Sequence, residues 1–261
     1  MAPPTLFSPG DEHSQSSNVL LLEPLTPSSF SPFGTAISPP FSSSLNSVPT
    51  SIPKPLHSQH QPTAVFANQN SALKTSPISK FTNKYPSNSS YPASNPRMSM
   101  FSCFPRNISG VGIDNSRPGK VAFEVSILER HPYTTQTFSP LGLSAEDKST
   151  VFLVIVAPSL PSPATARTSS GETVRIANPP DLSRMKAFVA RGDQAVTYGP
   201  GTWHAPMAVV GQRRVDFVVS QFANGIPDDD CQEVLLGENA VIVDLDTLNL
   251  DLGPHRSRSK L

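Results

Sequence analysis

The chain contains little cysteine and no long hydrophobic run. Its two cysteines, Cys103 and Cys231, lack CxxC spacing, so the sequence indicates neither a disulfide framework nor a zinc site. The longest apolar run, residues 151–157, is far shorter than the roughly 20 residues that a membrane helix needs. The first residues lack the basic start and apolar stretch of a secretory signal. We therefore expect a soluble protein without a membrane partner.

The chain also lacks an excess of charge of either sign. Lysine and arginine together number 20, and aspartate and glutamate also number 20. No basic run is interleaved with aromatic residues, which is the pattern expected of a nucleic-acid-binding surface. The sequence therefore gives no support to nucleic acid as a partner.

Proline, by contrast, is abundant, with 29 residues among 261. The excess is local, because residues 28–62 and 85–96 are dense in serine and proline. These stretches hold too few apolar side chains to offset the entropy lost on ordering. We predict a disordered segment over residues 1–17 and a single domain over 18–250, with low-complexity insertions at about 38–64 and 85–97. Residues 251–261 are predicted to form a tail.

The hydrophobic pattern predicts an all-β domain with few short helices. Thr26-Pro27 has the form of a helix start, with Gly34 as the stop. Short apolar or alternating segments follow one another with turn residues between them and no amphipathic helices, as in a sandwich or barrel. The principal predicted strands are residues 19–22, 36–37, 98–104, 121–128, 135–138, 152–156, 186–190, 194–198, 205–210 and 215–222.

A first polar cluster ends the strongest predicted strand. Alternation places Glu129 and His131 on one side of the strand and Arg130 on the other. A carboxylate and an imidazole facing a barrel interior need a partner or a ligand. Together with the carboxamide of Gln136 they suit a divalent metal such as nickel, iron or manganese. The alternative is an ion pair between Glu129 and Arg130 beside a solvated histidine.

A second cluster follows the Gly199-Pro200-Gly201 turn, where the only tryptophan, Trp203, precedes His204. This pair either joins the first cluster at one barrel mouth or consists of a core tryptophan and a hydrogen-bonded histidine. Lys74, which follows a polar turn, is a candidate for binding a substrate carboxylate. It is otherwise a solvated loop lysine.

The sequence ends in Ser259-Lys260-Leu261, which is the peroxisomal signal read by an import receptor. We therefore expect a peroxisomal protein that contacts this receptor. Without a functional signal, the protein would be cytoplasmic.

Two resemblances connect these clusters. Glu129-x-His131 followed by Gln136, and Gly201-x-x-His204, are similar to the two metal-binding motifs of cupins. The chain more closely resembles the ureidoglycolate lyase family. The blocks that carry this likeness are the LERHP segment at 128–132 with Gln136, Phe138 and Pro140, the segment 180–198, and Trp203-His204 with Pro206. Family members often have a second histidine where this chain has Ala205.

The resemblance implies a cupin-like double-stranded β-helix barrel that cleaves ureidoglycolate to glyoxylate and urea in allantoin (purine) degradation. It also implies a homodimer and possible nickel dependence. On this view His131, Gln136 and Glu129 hold the metal, while His204, with Glu129, moves protons.

The resemblance also suggests which residues bind the substrate. Lys74 or Arg130 would bind the substrate carboxylate, and Trp203 would line the substrate site. Two rivals remain open: an amidohydrolase that releases ammonia from the same substrate, and a non-catalytic cupin-like binding protein, which Ala205 favours.

Overall fold

The computed structural model describes residues 3–6, 17–87, 92–106, 108, 121–248 and 250. Regular structure in this part of the chain is almost entirely extended, which confirms the predicted all-β class. The helices are α1 (Pro27–Phe30), α2 (Pro227–Asp230) and one 3-10 turn (Leu182–Arg184). The strands are β1 (Thr5–Leu6), β2 (Asn18–Pro24), β3 (Gly34–Ile37), β4 (Val65–Ala67), β5 (Ala72–Lys74), β6 (Asn95–Cys103), β7 (Ala122–Glu124), β8 (Ile127–Arg130), β9 (Gln136–Leu141), β10 (Thr150–Ala157), β11 (Ala164–Arg167), β12 (Thr173–Ile176), β13 (Lys186–Ala190), β14 (Ala195–Tyr198), β15 (Trp203–His204), β16 (Ala208–Gly211), β17 (Val215–Ala223), β18 (Gln232–Leu235) and β19 (Val241–Asp244).

Two sheets form a cupin-like barrel. The larger runs β12-β11-β1-β18-β8-β15-β10-β13-β2-β19-β7, with β16 also paired to β10, and the smaller runs β3-β14-β9-β17-β6. Side chains from both sheets meet in one apolar cluster, to which β9, β14 and β17 contribute from the small sheet and β10, β13 and β16 from the large one. We call this cluster the inner core, because it fills the space that the two sheets enclose.

The burial of strand β10 explains why its sequence is apolar throughout. All eight of its residues are buried. Phe152, Val154 and Val156 belong to the inner core, whereas the residues between them join a second cluster on the opposite face of the large sheet, the outer core. A strand that is buried on both faces has no position where a polar side chain would reach water.

The predicted first helix is confirmed. Thr26 caps α1, because its hydroxyl oxygen accepts a hydrogen bond from the Ser29 amide at 3.1 Å, and Pro27 occupies the first turn. Phe30 is fully buried in the inner core, with its ring centroid 5.5 Å from that of Phe188. The helix thus contributes an aromatic side chain to the barrel interior.

Two predicted strands have different bounds in the structure. Residues 121–128 divide into β7, which pairs with β19, and β8, which pairs with β18. The break falls at residues 125–126, where the chain changes partner. The strand predicted at residues 205–210 begins only at Ala208, as β16, and β15 lies before it at Trp203–His204; both pair with β10. Pro206 lies in this gap and has no N–H to donate to the ladder.

The segments predicted to be disordered or low in complexity show a mixed outcome. Within residues 1–17, Thr5–Leu6 forms a strand, because β11 and β18 satisfy its backbone. Strand β6 begins at Asn95, inside the predicted insertion at 85–97. Residues 38–64 contain no strand. The rest of the N-terminal segment, apart from residues 3, 4 and 17, lies outside the described residues, as does the tail at 251–261.

No helix in the described ranges is both long enough and apolar enough to cross a membrane.

Candidate active site

Strand pairing brings the two sequence clusters together on the barrel's inner side. In the large sheet His204 lies opposite Glu129 of β8 and opposite Val156 of β10. Cross-strand partners project their side chains to the same face, and Val156 belongs to the inner core. His204 and Glu129 therefore face the interior. Trp203, one residue earlier, lies opposite Ala157 and packs in the outer core.

Three side chains form a compact group that could hold a metal ion. One ligand atom from each of Glu129, His131 and His204 lies within 4.8 Å of the others. His204 Nε2 is 3.3 Å from Glu129 Oε1, and the two imidazole centroids are 5.5 Å apart. The Gly201 amide donates to the carbonyl of His131 at 2.8 Å, which ties the turn before His204 to the end of β8. The structure thus joins the two predicted clusters in one site.

Backbone carbonyls set the orientation of both histidines. His131 Nδ1 contacts the carbonyl oxygen of Asp230, and His204 Nδ1 lies 3.1 Å from that of Thr202. A carbonyl oxygen only accepts, so Nδ1 carries the hydrogen in each neutral ring, and Nε2 presents a lone pair. Both Nε2 atoms are buried, and that of His204 faces Glu129 Oε1 at 3.3 Å. This is the arrangement of histidine ligands oriented through their second nitrogen.

Gln136 completes the predicted ligand set from the opposing small sheet. It is buried on β9, and its amide nitrogen donates to Gln221 Oε1 at 2.6 Å. Its own Oε1 is buried without a hydrogen-bond partner within the described ranges. The side chain also acts on His131, whose pKa it raises. The structure therefore brings Gln136 to the site with an acceptor oxygen unoccupied by protein.

Burial and charge fix the protonation states of the cluster. Burial lowers the pKa of His131, and the charge of His204 adds to this, against the opposing effects of the Asp230 carbonyl, Glu129 and Gln136. Burial alone would raise the pKa of Glu129, but its interaction with His204 and the charge of His131 bring the net pKa below the ordinary value. At neutral pH the site therefore holds a carboxylate beside a neutral His131 imidazole.

Tyr198 is a site residue that the sequence reasoning missed. Its ring stacks on that of His204, with centroids 3.9 Å apart and planes at 12°. The side chain is fully buried, and its hydroxyl has no hydrogen-bond partner in the described part of the chain. Burial, followed by the charge of Glu129, raises the pKa of the phenol. The signal lay in the alternation of the predicted strand at 194–198, which places Val196 and Tyr198 on the interior face.

Asp230 is a second residue of the site that the sequence does not reveal. Its carbonyl orients His131. Its carboxylate accepts hydrogen bonds from the Tyr85 hydroxyl at 2.8 Å and from the Asn224 and Gly225 amides, each at 2.8 Å. These contacts hold the turn that presents the carbonyl. Backbone contacts of this kind leave no pattern in the side-chain sequence.

Arg130 and Trp203 lie on the other side of the same strands. The three guanidinium nitrogens of Arg130 donate to the Gln232 side chain, to Ser159 and to the carbonyls of residues 177 and 178. Trp203 Nε1 donates to the carbonyl of Asn178 at 2.9 Å, and Arg130 Cζ lies 4.8 Å from the indole centre. The structure thus separates both predicted substrate-binding residues from the histidine cluster.

Lys74, predicted to act on substrate, is exposed on β5 of the separate β4–β5 hairpin. No hydrogen bond or ion pair among the described residues joins Lys74 to Glu129, His131 or His204.

The donor set fits a divalent metal ion. Two imidazole nitrogens, a carboxylate and a carboxamide oxygen suit nickel, iron or manganese, and both His131 Nε2 and Gln136 Oε1 are buried without hydrogen-bond partners among the described residues. A second possible group, Glu129 with Cys231 and Glu233, is less suitable. Burial, with the charges of Glu129, Glu233 and Asp230, raises the pKa of Cys231 to about 12. A thiol binds metal as the thiolate, so the histidine group is the better site.

The chain is similar to known proteins along most of its length. A model of the ureidoglycolate lyase family matches residues 17–243. The chain is 34% identical over 219 residues to the ureidoglycolate lyase of Saccharomyces cerevisiae, covering 82% of this chain and 92% of that protein. It is 33% identical over 168 residues to that of Schizosaccharomyces pombe, covering 64% and 75%. The match to the Escherichia coli K12 protein is 32% over 108 residues, covering 41% and 52%. The chain therefore belongs to the ureidoglycolate lyase family.

Proposed function

We propose that the protein is a ureidoglycolate lyase, which cleaves ureidoglycolate to glyoxylate and urea in allantoin (purine) degradation. The observation that carries the proposal is the buried group of Glu129, His131 and His204 in a chain that matches this family along most of its length. Membership of the ureidoglycolate lyase family indicates the substrate. The three side chains supply proton acceptors for its cleavage.

The reaction requires proton movement and no covalent nucleophile. Ureidoglycolate carries a hydroxyl, a ureido nitrogen and a carboxylate on one carbon. The hydroxyl O–H bond breaks and its electron pair forms the carbonyl of glyoxylate. The carbon–nitrogen bond breaks, and its electron pair stays on nitrogen, which takes up a proton and leaves as urea. Atoms and charge balance without an oxidant or a second substrate.

The Glu129–His204 pair can move this proton. The low pKa of Glu129 keeps the carboxylate ionised and able to accept the hydroxyl proton. His204 Nε2, 3.3 Å from Glu129 Oε1, can take that proton and deliver it to the departing nitrogen. A positioned acid–base group of this kind contributes roughly 10²–10⁴-fold in rate.

A divalent metal, which we propose to be nickel from the family resemblance, would be held by His131, Gln136 and Glu129. When bound it would polarise the substrate oxygens and so lower the pKa of the hydroxyl. His204 lies within the same 4.8 Å group, so the metal content of variants decides whether it is a further ligand.

The test is to incubate the purified protein with ureidoglycolate, with and without a chelator, and to quantify glyoxylate, urea and ammonia. A lyase releases glyoxylate and urea in equal amounts and no ammonia. Ammonia in place of urea would identify an amidohydrolase, and the absence of any product, even with added nickel, would leave a binding protein. A fall in turnover on chelation that nickel reverses supports the metal.

We also propose a homodimer. Strand β6 lies at the edge of the small sheet with an exposed apolar surface, in which Met98 is 77% and Met100 54% exposed. An exposed hydrophobic edge strand is a template for pairing with another chain. Light scattering should give twice the mass of the chain, and Met100→Lys should lower it to one chain.

We propose peroxisomal import on the basis of Ser259-Lys260-Leu261, with the import receptor as the partner. Deleting these three residues should move the protein to the cytosol without changing its turnover. Unchanged localisation of the truncated protein would refute this proposal.

A further inference from the structure

Four polar atoms of the candidate site are buried: His131 Nε2, His204 Nε2, Gln136 Oε1 and the Tyr198 hydroxyl. His204 Nε2 lies 3.3 Å from Glu129 Oε1, whereas the Tyr198 hydroxyl has no hydrogen-bond partner among the described residues. Three of them are acceptors. Each histidine commits its Nδ1 hydrogen to a carbonyl, and Gln136 commits its amide nitrogen to Gln221. The Tyr198 O–H is therefore the donor of this set.

Tyr198 is held at the site from two directions. Its ring lies flat on His204 at 3.9 Å, and in the small sheet it lies opposite Gln136 in the β14–β9 register. The charge of Glu129 acts on its phenol. A buried hydroxyl without a partner lowers the stability of the fold. Such a group is expected where a ligand completes its hydrogen bond.

The proposed substrate carries a carboxylate, and neither of the cationic residues predicted to bind it, Arg130 and Lys74, contacts the histidine cluster. The guanidinium of Arg130 donates on the far side of the sheet. Lys74 is exposed on the separate β4–β5 hairpin. A neutral phenol, by contrast, donates a strong hydrogen bond to a carboxylate, because the acceptor is charged.

We propose that the Tyr198 hydroxyl donates a hydrogen bond to the carboxylate of ureidoglycolate. This inference rests on the proposed function for its substrate. Tyr198 is then a binding residue that touches the substrate, while its ring keeps the His204 imidazole in plane.

The test is Tyr198→Phe, which removes the hydroxyl and keeps the stacked ring, with Tyr133→Phe as the matched control. Tyr133 is half-buried and lies outside the cluster. Three quantities are measured in the full-length protein: steady-state kcat and KM for ureidoglycolate, the Kd of glyoxylate by calorimetry, and the melting temperature. Glyoxylate serves because it retains the carboxylate without the ureido group.

For Tyr198→Phe we expect KM and the Kd of glyoxylate to rise by about 10–100-fold, the range for a hydrogen bond to a charged group. The kcat should fall less, the melting temperature should not fall, and Tyr133→Phe should match the wild type. An unchanged Kd for glyoxylate would overturn the inference. A fall in melting temperature would also overturn it, because the hydroxyl would then have a structural partner.

Failure of the proposed function gives a different result. If the wild-type protein makes no urea from ureidoglycolate, the function is wrong, whereas the effect of Tyr198→Phe on glyoxylate binding still reports on this residue. If the wild type turns over substrate and the variant binds glyoxylate equally well, the function stands and the role of Tyr198 is wrong.

Discussion

Strands β8 and β15 form one wall of the barrel. The polar side chains on the two sides of this wall differ in whether they have hydrogen-bond partners. On the outer side Arg130 and Trp203 have acceptors for the guanidinium nitrogens and for the indole N–H. On the inner side His131 Nε2, Gln136 Oε1 and the Tyr198 hydroxyl are buried without a hydrogen-bond partner in the described ranges. Arg130 and His131 are neighbours in sequence, so composition does not explain the difference.

The contrast separates residues that serve folding from residues that serve chemistry. A satisfied buried network stabilises a unique arrangement, and the Arg130–Trp203 contacts fix the loop around residue 178. Unsatisfied buried atoms cost stability and persist where function requires them. We therefore expect substitutions on the inner side to reduce turnover and substitutions on the outer side to reduce stability.

The largest expected effect is that of His204→Ala on the inner side. Turnover should fall by roughly 10²–10⁴-fold, the usual contribution of a positioned acid–base group. The variant also loses the Nδ1 contact with Thr202 and the stack on Tyr198, so the melting temperature should fall, but the protein should stay folded and the loss of turnover should exceed what the loss of folded protein explains. Steady-state kinetics and thermal unfolding of the same preparation measure both quantities.

His131→Ala is the matched control for the role of His204. Elemental analysis of both variants should show that His131→Ala weakens metal binding. If His204→Ala keeps its metal, His204 acts as the acid–base group and not as a metal ligand. If both variants unfold early while the remaining folded protein keeps full activity, the two histidines are structural.

The sequence was sufficient to find the two clusters but not to assign all of their members. Alternation correctly places Glu129 and Arg130 on opposite sides of β8, because this depends only on the strand repeat. It does not show which face is enclosed or which partner strand lies alongside. The pairing of β15 with both β8 and β10 decides that. Alternation also places Tyr198 on the interior face, but not its stack on His204. The Asp230 carbonyl reaches His131 from a helix far along the chain, which no local pattern encodes.

The second prediction concerns the hydrogen bonds of Arg130 on the outer side of the wall. Arg130→Met should lower the free energy of unfolding by about 2–4 kcal/mol, because it leaves two carbonyls and Gln232 without their donors. At a temperature where the variant is folded, kcat and KM should stay within about threefold of the wild type, since a buried hydrogen-bond network outside the reaction affects stability rather than rate. Guanidinium unfolding and steady-state kinetics measure the two effects. A large rise in KM at unchanged stability would instead make Arg130 the carboxylate-binding residue.

The third prediction tests the turn that supports the inner side. Tyr85→Phe removes the hydroxyl that donates to Asp230 at 2.8 Å. Asp230 keeps its contacts to the Asn224 and Gly225 amides. The free energy of unfolding should therefore fall by only about 1 kcal/mol. Turnover should fall no more than a few-fold. A fall as large as that of His204→Ala would show that the Tyr85 hydroxyl controls the position of His131.

The smallest effect is expected from a change that touches neither side of the wall. Residues 42–61 are almost entirely outside both cores, and they contain no strand. Their flanks are already close, since the Leu56 amide donates to the Pro40 carbonyl at 2.8 Å and Gln61 Nε2 donates to the Ser38 carbonyl at 3.0 Å. Shortening a loop whose ends lie together changes its closure entropy only slightly. Deleting residues 42–61 should therefore leave the melting temperature and the turnover nearly unchanged, with the full-length chain measured alongside. A large drop in melting temperature would show that the segment stabilises the barrel, and a drop in turnover alone would show that it covers the site.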